Sequence, residues 1–96
     1  MAKKTGDDGW RQFIELCQQT KTKQELNELL RFFLTPSEKE AINYRVELIR
    51  ELLRGDKSQR IIAGDLKISI AKITRGSNQL KYTGEKLKRF LTKRLC

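Results

Sequence analysis

Residues 58–81 read SQRIIAGDLKISIAKITRGSNQLK and contain two short helical patterns separated by a tight connection. Ser58 is suited to cap a first helix over about 58–66. Ser69 is suited to cap a second helix, from Ile70 to about Lys81. Two short helices joined by a turn of about three or four residues are typical of the helix-turn-helix, whose second helix enters the DNA major groove. Because the same shape also serves as a plain packing unit, the pattern predicts the geometry and favours DNA binding without requiring it.

This two-helix unit has two unusual features, one in the turn and one in the second helix. Lys67 stands in the turn, where many such motifs carry glycine, and Gly76 lies inside the helix, where it costs about 1 kcal/mol relative to alanine. Gly76 is either a weak point or a place where the missing Cβ makes room for a ligand or another backbone, and Arg75 beside it is placed to hold an anion. The apolar positions Ile70, Ile73 and Leu80 are the inward candidates.

The strongest helix-start signal lies upstream, in Thr35-Pro36-Ser37-Glu38. Thr35 is suited to the N-cap and Pro36 to the first helical position, where no N–H is needed. Glu38 completes a capping box. The pattern predicts a helix over about 36–54, with Gly55 as its left-handed C-terminal cap.

The apolar side of this long helix is broad enough to be buried on more than one side, as in a central helix or a dimer core. It comprises Ala41, Ile42, Val46, Leu48, Ile49, Leu52 and Leu53. Arg45 lies within it, four residues after Ala41 and four before Ile49. Its guanidinium must therefore either extend to water or stack on a flat group.

Helical periodicity dominates the rest of the chain, and no stretch alternates with strand period over a useful length. The spacing predicts helices over about 9–20 and 23–32, and a last helix that follows Thr83-Gly84. We therefore expect an all-α fold with six helices. Residues 1–8 are expected to form a flexible N-terminal arm, and residues 9–96 a single domain.

The charge is concentrated in one half of the chain. The 96 residues carry 21 Lys+Arg against 12 Asp+Glu, a net charge of +9, and all of this excess falls in residues 49–96. A basic region attracts phosphate backbones through counterion release, which favours nucleic acid as partner. The alternatives are a solvated basic face, or one that meets an acidic protein or a membrane surface. No apolar run approaches the ~18–20 residues of a membrane span.

The composition excludes several kinds of chemistry. Because there is no histidine, a histidine base, a histidine metal ligand and a Ser-His-Asp triad are excluded. Cys17 and Cys96 form no CxxC motif, so they are expected to be free thiols in a reducing cytosol rather than metal ligands. No glycine-rich phosphate loop is present. We therefore expect no metal site and no enzyme.

Two segments of the chain closely resemble the bacterial trp repressor family. They are LTPSEKEAINYRVELIRELLRGDKSQR over 34–60 and ITRGSNQLK over 73–81, and the resemblance extends over about 32–91. It implies an all-α, six-helix intertwined homodimer with a helix-turn-helix reading head. It also implies a cytoplasmic repressor that binds palindromic operator DNA when L-tryptophan is bound as corepressor, with no other cofactor, and that controls genes for tryptophan biosynthesis or uptake.

The resemblance also implies a corepressor site. Arg45 and Arg75 would sandwich the indole ring, Arg75 and Thr35 would hold the carboxylate, and the backbone carbonyls of Phe32 and Leu34 would receive the ammonium. The wall would be completed by Ile49, Gly76 and Gln79. Gln79 departs from the family, whose pattern has serine at this position, and its longer amide could meet the ligand or narrow the site.

The DNA-binding residues carry over less completely. Arg60 would read a guanine directly, while Gln59 and Arg54 would contact phosphates. The implied surface comprises Arg54, Gln59, Arg60, Ile70, Ala71, Lys72, Thr74, Ser77, Asn78 and Lys81. Two positions differ from the family, because Ala63 stands where lysine is usual and Lys72 where threonine is usual.

Two other functions remain open from the sequence. The first is a helix-turn-helix DNA-binding regulator of the same fold that does not depend on tryptophan, for which Gln79 would be responsible. The second is a helical module that binds protein or RNA through its charge. A sharp preference for a palindromic duplex would exclude that second function.

Overall fold

The computed structural model describes residues 6–96, and within this range the chain forms six α-helices and no strand. The all-α class and the six predicted helices are confirmed. The helices are α1 (Asp8–Gln19), α2 (Lys23–Phe33), α3 (Pro36–Arg54), α4 (Gln59–Leu66), α5 (Ile70–Lys81) and α6 (Glu85–Leu95). The first five residues of the expected N-terminal arm lie outside the described residues, and its last residue, Asp8, begins α1.

The chain divides into two compact units, the first of which extends to Lys39. Within this unit the ring of Phe13 in α1 meets that of Phe33 in α2 edge to face, with centroids 5.5 Å apart. A capping box begins α2, in which the Thr22 side chain accepts from the Glu25 N–H at 3.0 Å. Aromatic packing and a cap thus fix the local structure of α1 and α2.

The second unit runs from Glu40 to Cys96 and holds the buried core. One side chain from each of three helices is buried, with Leu48 of α3 5% exposed, Ile62 of α4 1% and Ile73 of α5 0%. The partly buried residues packed against them are Leu52, Ala63, Leu66 and Ile68. Full burial of such a side chain stabilises a fold by roughly 1.5–3 kcal/mol, so this cluster joins the helix-turn-helix to α3.

The helix-turn-helix has the predicted caps. The Ser58 side chain accepts from the Ile61 N–H at 3.2 Å, and the Ser69 side chain accepts from the Lys72 N–H at 3.3 Å. Lys67 ends α4 in the left-handed conformation, with φ +56°. This conformation is one that glycine adopts readily and other residues adopt at a cost.

Several apolar side chains remain exposed in the single chain. The sequence placed Ile70 among the inward residues, and this is wrong, because Ile70 is 49% exposed while Ile73, three residues later, occupies the core. On α3, Leu48 is buried while Ile42 and Val46 are exposed, so the apolar side of this helix is only partly covered. Within the described residues, no helix is long and apolar enough to cross a membrane.

Candidate ligand cavity and nucleic-acid interface

A cavity of about 230 Å³ lies in the second unit, between α3 and α5. Its lining residues are Ala41, Tyr44, Arg45, Leu48, Ile49, Ile68, Lys72, Arg75, Gly76 and Gln79. The α3 and α5 residues among them follow one another at spacings that place side chains on one helix face. The size of the cavity suits a small metabolite.

The cavity wall combines apolar surface with positive charge. Arg45, Lys72 and Arg75 supply three cations, and no Asp or Glu among the described residues lines the cavity. Leu48, Ile49 and Ile68 supply apolar surface. Guanidinium planes stack on aromatic faces and bind carboxylates through paired hydrogen bonds. The arrangement therefore suits an aromatic ligand that carries a carboxylate.

Five of the eight residues that the family resemblance implies for the corepressor site line this cavity. The members that line it are Arg45, Ile49, Arg75, Gly76 and Gln79. The other three, Phe32, Leu34 and Thr35, belong to the first unit, at the end of α2 and the start of α3. The lining residues thus come from positions far apart in sequence, on α3 and α5.

Thr35 occupies the capping box that the sequence predicts. Its side chain accepts from the Glu38 N–H at 3.1 Å, and its own N–H donates to Glu38 Oε1 at 2.9 Å. Since a hydroxyl has one donor hydrogen besides its acceptor sites, the Thr35 hydroxyl can still donate to a ligand.

Several lining residues were not assigned to a ligand from the sequence. Ala41 and Leu48 lie four and three residues from Arg45, a helical spacing that could have identified them, and Tyr44 is the residue next to Arg45. Ile68 lies in the turn, where no periodicity marks it. Lys72, which was assigned only to DNA contact, precedes Arg75 by three residues and also lines the cavity.

The implied DNA surface is exposed on the two helices of the helix-turn-helix and at the end of α3. The exposed residues of the implied set are Arg54, Gln59, Arg60, Ile70, Ala71, Lys72, Thr74, Asn78 and Lys81, and Ser77 is half-buried. The Thr74 hydroxyl of α5 donates to Gln59 Oε1 of α4 at 3.3 Å. This contact joins the start of α4 to the exposed side of α5.

An ion-pair cluster that the sequence did not predict holds the start of the helix-turn-helix. Lys57 Nζ lies 3.0 Å from Asp65 Oδ2 of α4 and 3.0 Å from Glu51 Oε2 of α3. Arg54 Nη1 lies 3.4 Å from Glu51 Oε1. The hydrogen bond to Asp65, and then the contact with Glu51, raise the pKa of Lys57. The cluster links the end of α3 to α4.

The chain matches known proteins over nearly its whole length. Residues 8–95 match the family described as Trp repressor protein. A Trp operon repressor homolog of Chlamydia caviae is 41% identical over 91 residues, which cover 95% of this chain and 90% of that protein. A homolog of the same name from Photobacterium profundum is 40% identical, over 85% of this chain and 80% of that protein. Another, from Chlamydia trachomatis serovar D, is 40% identical, over 93% of this chain and 95% of that protein.

Proposed function

Because this chain belongs to the Trp repressor family, a family of DNA-binding regulators, we propose that it represses transcription by binding operator DNA when L-tryptophan is bound as corepressor. The observation that carries this proposal is the cavity between α3 and α5, which has Arg45 on one helix and Arg75 on the other. Since α5 is the reading helix of the helix-turn-helix, a ligand in this cavity would contact the element that meets DNA.

The two arginines give the ligand its orientation. The indole ring lies between the guanidinium groups of Arg45 and Arg75, which stack on its faces, and Ile49 contributes apolar wall. Arg75 also binds the carboxylate, together with the hydroxyl of Thr35. Gln79 supplies an amide at the position where the family has serine, and Gly76 completes the wall.

The ammonium group of the ligand is received by the backbone carbonyls of Phe32 and Leu34. Two local features favour this. Pro36 has no N–H to donate to the carbonyl of Phe32, four residues earlier. The Glu38 N–H, which could reach the carbonyl of Leu34, donates to Thr35 Oγ1 instead. Carbonyls near the end of a helix are the ones that lack intrahelical donors.

The active form is an intertwined homodimer. Apolar side chains that the single chain leaves exposed, including Ile42 and Val46 of α3 and Leu87 and Phe90 of α6, are the surface that a second copy would cover. A two-fold dimer presents two reading helices about 34 Å apart, one turn of DNA, a geometry for which the trp repressor is itself a standard example. Palindromic operators match this symmetry.

The ligand acts on the position and order of the reading head. When the cavity is filled, residues 58–81 are held in the orientation that suits two successive major grooves. Without ligand, residues 58–81 must be ordered when DNA binds, and the free energy that this requires weakens DNA binding. Thermodynamic linkage requires that operator DNA tighten tryptophan binding by the same factor by which tryptophan tightens DNA binding.

The DNA contacts divide between base reading and backbone positioning. Arg60 reads a guanine, while Arg54 and Gln59 hold phosphates. The tip of the reading helix is formed by Ile70, Ala71, Lys72 and Thr74, and further backbone contacts come from Ser77, Asn78 and Lys81. The protein acts in the cytoplasm on genes of tryptophan biosynthesis or uptake, as a single helical domain over 9–96.

The direct test is a DNA-binding titration on a palindromic operator at fixed, stated salt, with and without L-tryptophan. We expect L-tryptophan to tighten operator binding and to leave binding to a random duplex unchanged. Equal operator affinity with and without the ligand would instead identify a tryptophan-independent regulator. The presence of Gln79 in the cavity wall supports this second candidate function. Equal affinity for operator and random duplex would exclude a sequence-specific repressor.

A further inference from the structure

Lys72 adds a third cation to a cavity in which none of the described lining residues is acidic. It lies in the first turn of α5, three residues before Arg75, and its side chain lines the cavity together with Arg45 and Arg75. Its backbone N–H is used by the Ser69 cap, but its ammonium forms no ion pair within residues 6–96. The ammonium is therefore available to a ligand.

We infer that Lys72 is a ligand-binding residue of this cavity, and that its ammonium binds the ligand carboxylate beside Arg75. The inference rests on the proposed function. Like charges that share one cavity without a carboxylate repel one another, and an anionic group relieves this repulsion. The four-carbon stem of lysine lets the ammonium move to the carboxylate, whereas threonine, usual at this position in the family, is short and uncharged.

This placement predicts a specific ligand preference. The cavity should distinguish L-tryptophan from L-tryptophanamide, in which a neutral amide replaces the carboxylate, and Lys72 should contribute part of that difference. Because Lys72 is exposed, solvent weakens its contribution, and a moderate effect is expected.

Calorimetric titration of the full-length protein without DNA tests the inference. The two ligands are titrated into the wild type, Lys72→Met, Lys72→Arg and the control Lys86→Met, which removes a lysine of α6 that does not line the cavity. We expect Lys72→Met to weaken L-tryptophan binding about 3- to 10-fold and to leave L-tryptophanamide binding within about 2-fold. Lys72→Arg should retain tryptophan affinity, and Lys86→Met should leave the affinity for both ligands unchanged. Because no DNA is present, an effect of Lys72→Met on ligand affinity cannot arise from a lost contact with DNA phosphates.

The outcomes separate the inference from the proposed function. If the wild type binds L-tryptophan but Lys72→Met binds it equally well, or loses both ligands equally, the role of Lys72 is refuted while the proposed function stands. If the wild type binds no L-tryptophan, the proposed function fails, and the inference fails with it. Circular dichroism establishes that the variants keep their helix content.

Discussion

Gly76 of α5 lies against the side chain of Leu48 in α3 so closely that a Cβ at Gly76 would come within 3.0 Å of Leu48 Cδ2. The same Cβ would lie 3.6 Å from Leu52 Cδ1. The space left by the missing side chain is thus occupied by side chains of a neighbouring helix. Arg45 and Arg75, which line the cavity, lie on these same two helices.

The contact predicts opposite effects for two glycine substitutions. Gly76→Ala gains about 1 kcal/mol of helix propensity but crowds Leu48, so we expect a net loss of about 1 kcal/mol in the free energy of unfolding. Gly64→Ala in α4 is the matched control, because nothing lies within 4 Å of its added Cβ. That control should stabilise by up to about 1 kcal/mol. Urea unfolding measures both, and equal stabilisation by the two variants would contradict the packing described.

The left-handed Lys67 predicts a stabilising substitution in the turn. A side chain at φ +56° costs roughly 1–2 kcal/mol, which glycine avoids at some cost in unfolded-state entropy. We expect Lys67→Gly to raise the free energy of unfolding by about 0.5 kcal/mol. Lys39→Gly in α3, which removes the same charge from a residue whose N–H is already in the helical hydrogen-bond pattern, should lower it by about 1 kcal/mol. Thermal unfolding compares the stability of the two variants with that of the wild type. A lower stability in both variants would show that the backbone at Lys67 is not strained.

The Lys57 ion pairs predict a pH-dependent stability. Folding raises the pKa of Lys57 above its ordinary value of 10.5, so the folded state holds the proton more tightly than the unfolded state. The resulting stabilisation is fully present below that ordinary value and is lost as pH rises through the folded-state pKa.

Lys57→Met should therefore lower the melting temperature at neutral pH, and its difference from the wild type should shrink as pH rises past 10.5. Lys88→Met is the control, since Lys88 has only a 3.9 Å contact with Glu85, and it should have a smaller effect. A Lys57→Met difference that stays constant into strong alkali would show that the ion pairs do not stabilise the fold.

The proposed corepressor site predicts a large effect at Arg75. Arg75→Ala removes both a stacking plane and a charged partner of the carboxylate, so we expect tryptophan affinity to fall about 10- to 100-fold. Operator binding should then no longer respond to L-tryptophan. Arg89→Ala in α6 removes an arginine that does not line the cavity and should leave the affinity unchanged. A ligand response retained by Arg75→Ala would place the tryptophan elsewhere.

Base reading by Arg60 predicts a loss of sequence preference. Arg60→Ala should cost about 1–3 kcal/mol on the cognate operator and relax the preference at one base pair. Lys81→Ala, the loss of a proposed backbone contact, should weaken binding to operator and random duplex alike. Binding titrations on both duplexes at several salt concentrations distinguish the two. An equal loss on both duplexes for Arg60→Ala would reduce this residue to a phosphate contact.

The candidate site was predictable only in part. Arg45 is predicted as a site residue because it is a charge within an apolar helix face. Arg75 is predicted because it is a cation beside Gly76, a glycine inside a helix. That Ile49 and Gln79 belong to the same site is implied only by the family resemblance, because helical periodicity does not determine which faces of two helices meet. The sequence predicts a DNA contact for Lys72 because it lies in the first turn of the reading helix, and no local pattern indicates that it also lines the cavity.

The sequence by itself determined the local structure. Ser58, Thr35 and Ser69 fixed where helices begin, because a cap and the N–H that it receives lie within a few residues of each other. Packing decided what periodicity left open, namely that Ile73 is buried and Ile70 exposed, and that Leu48 fills the space beside Gly76. These features depend on contacts between residues far apart in the chain, and only the docking of α5 on α3 brings them together.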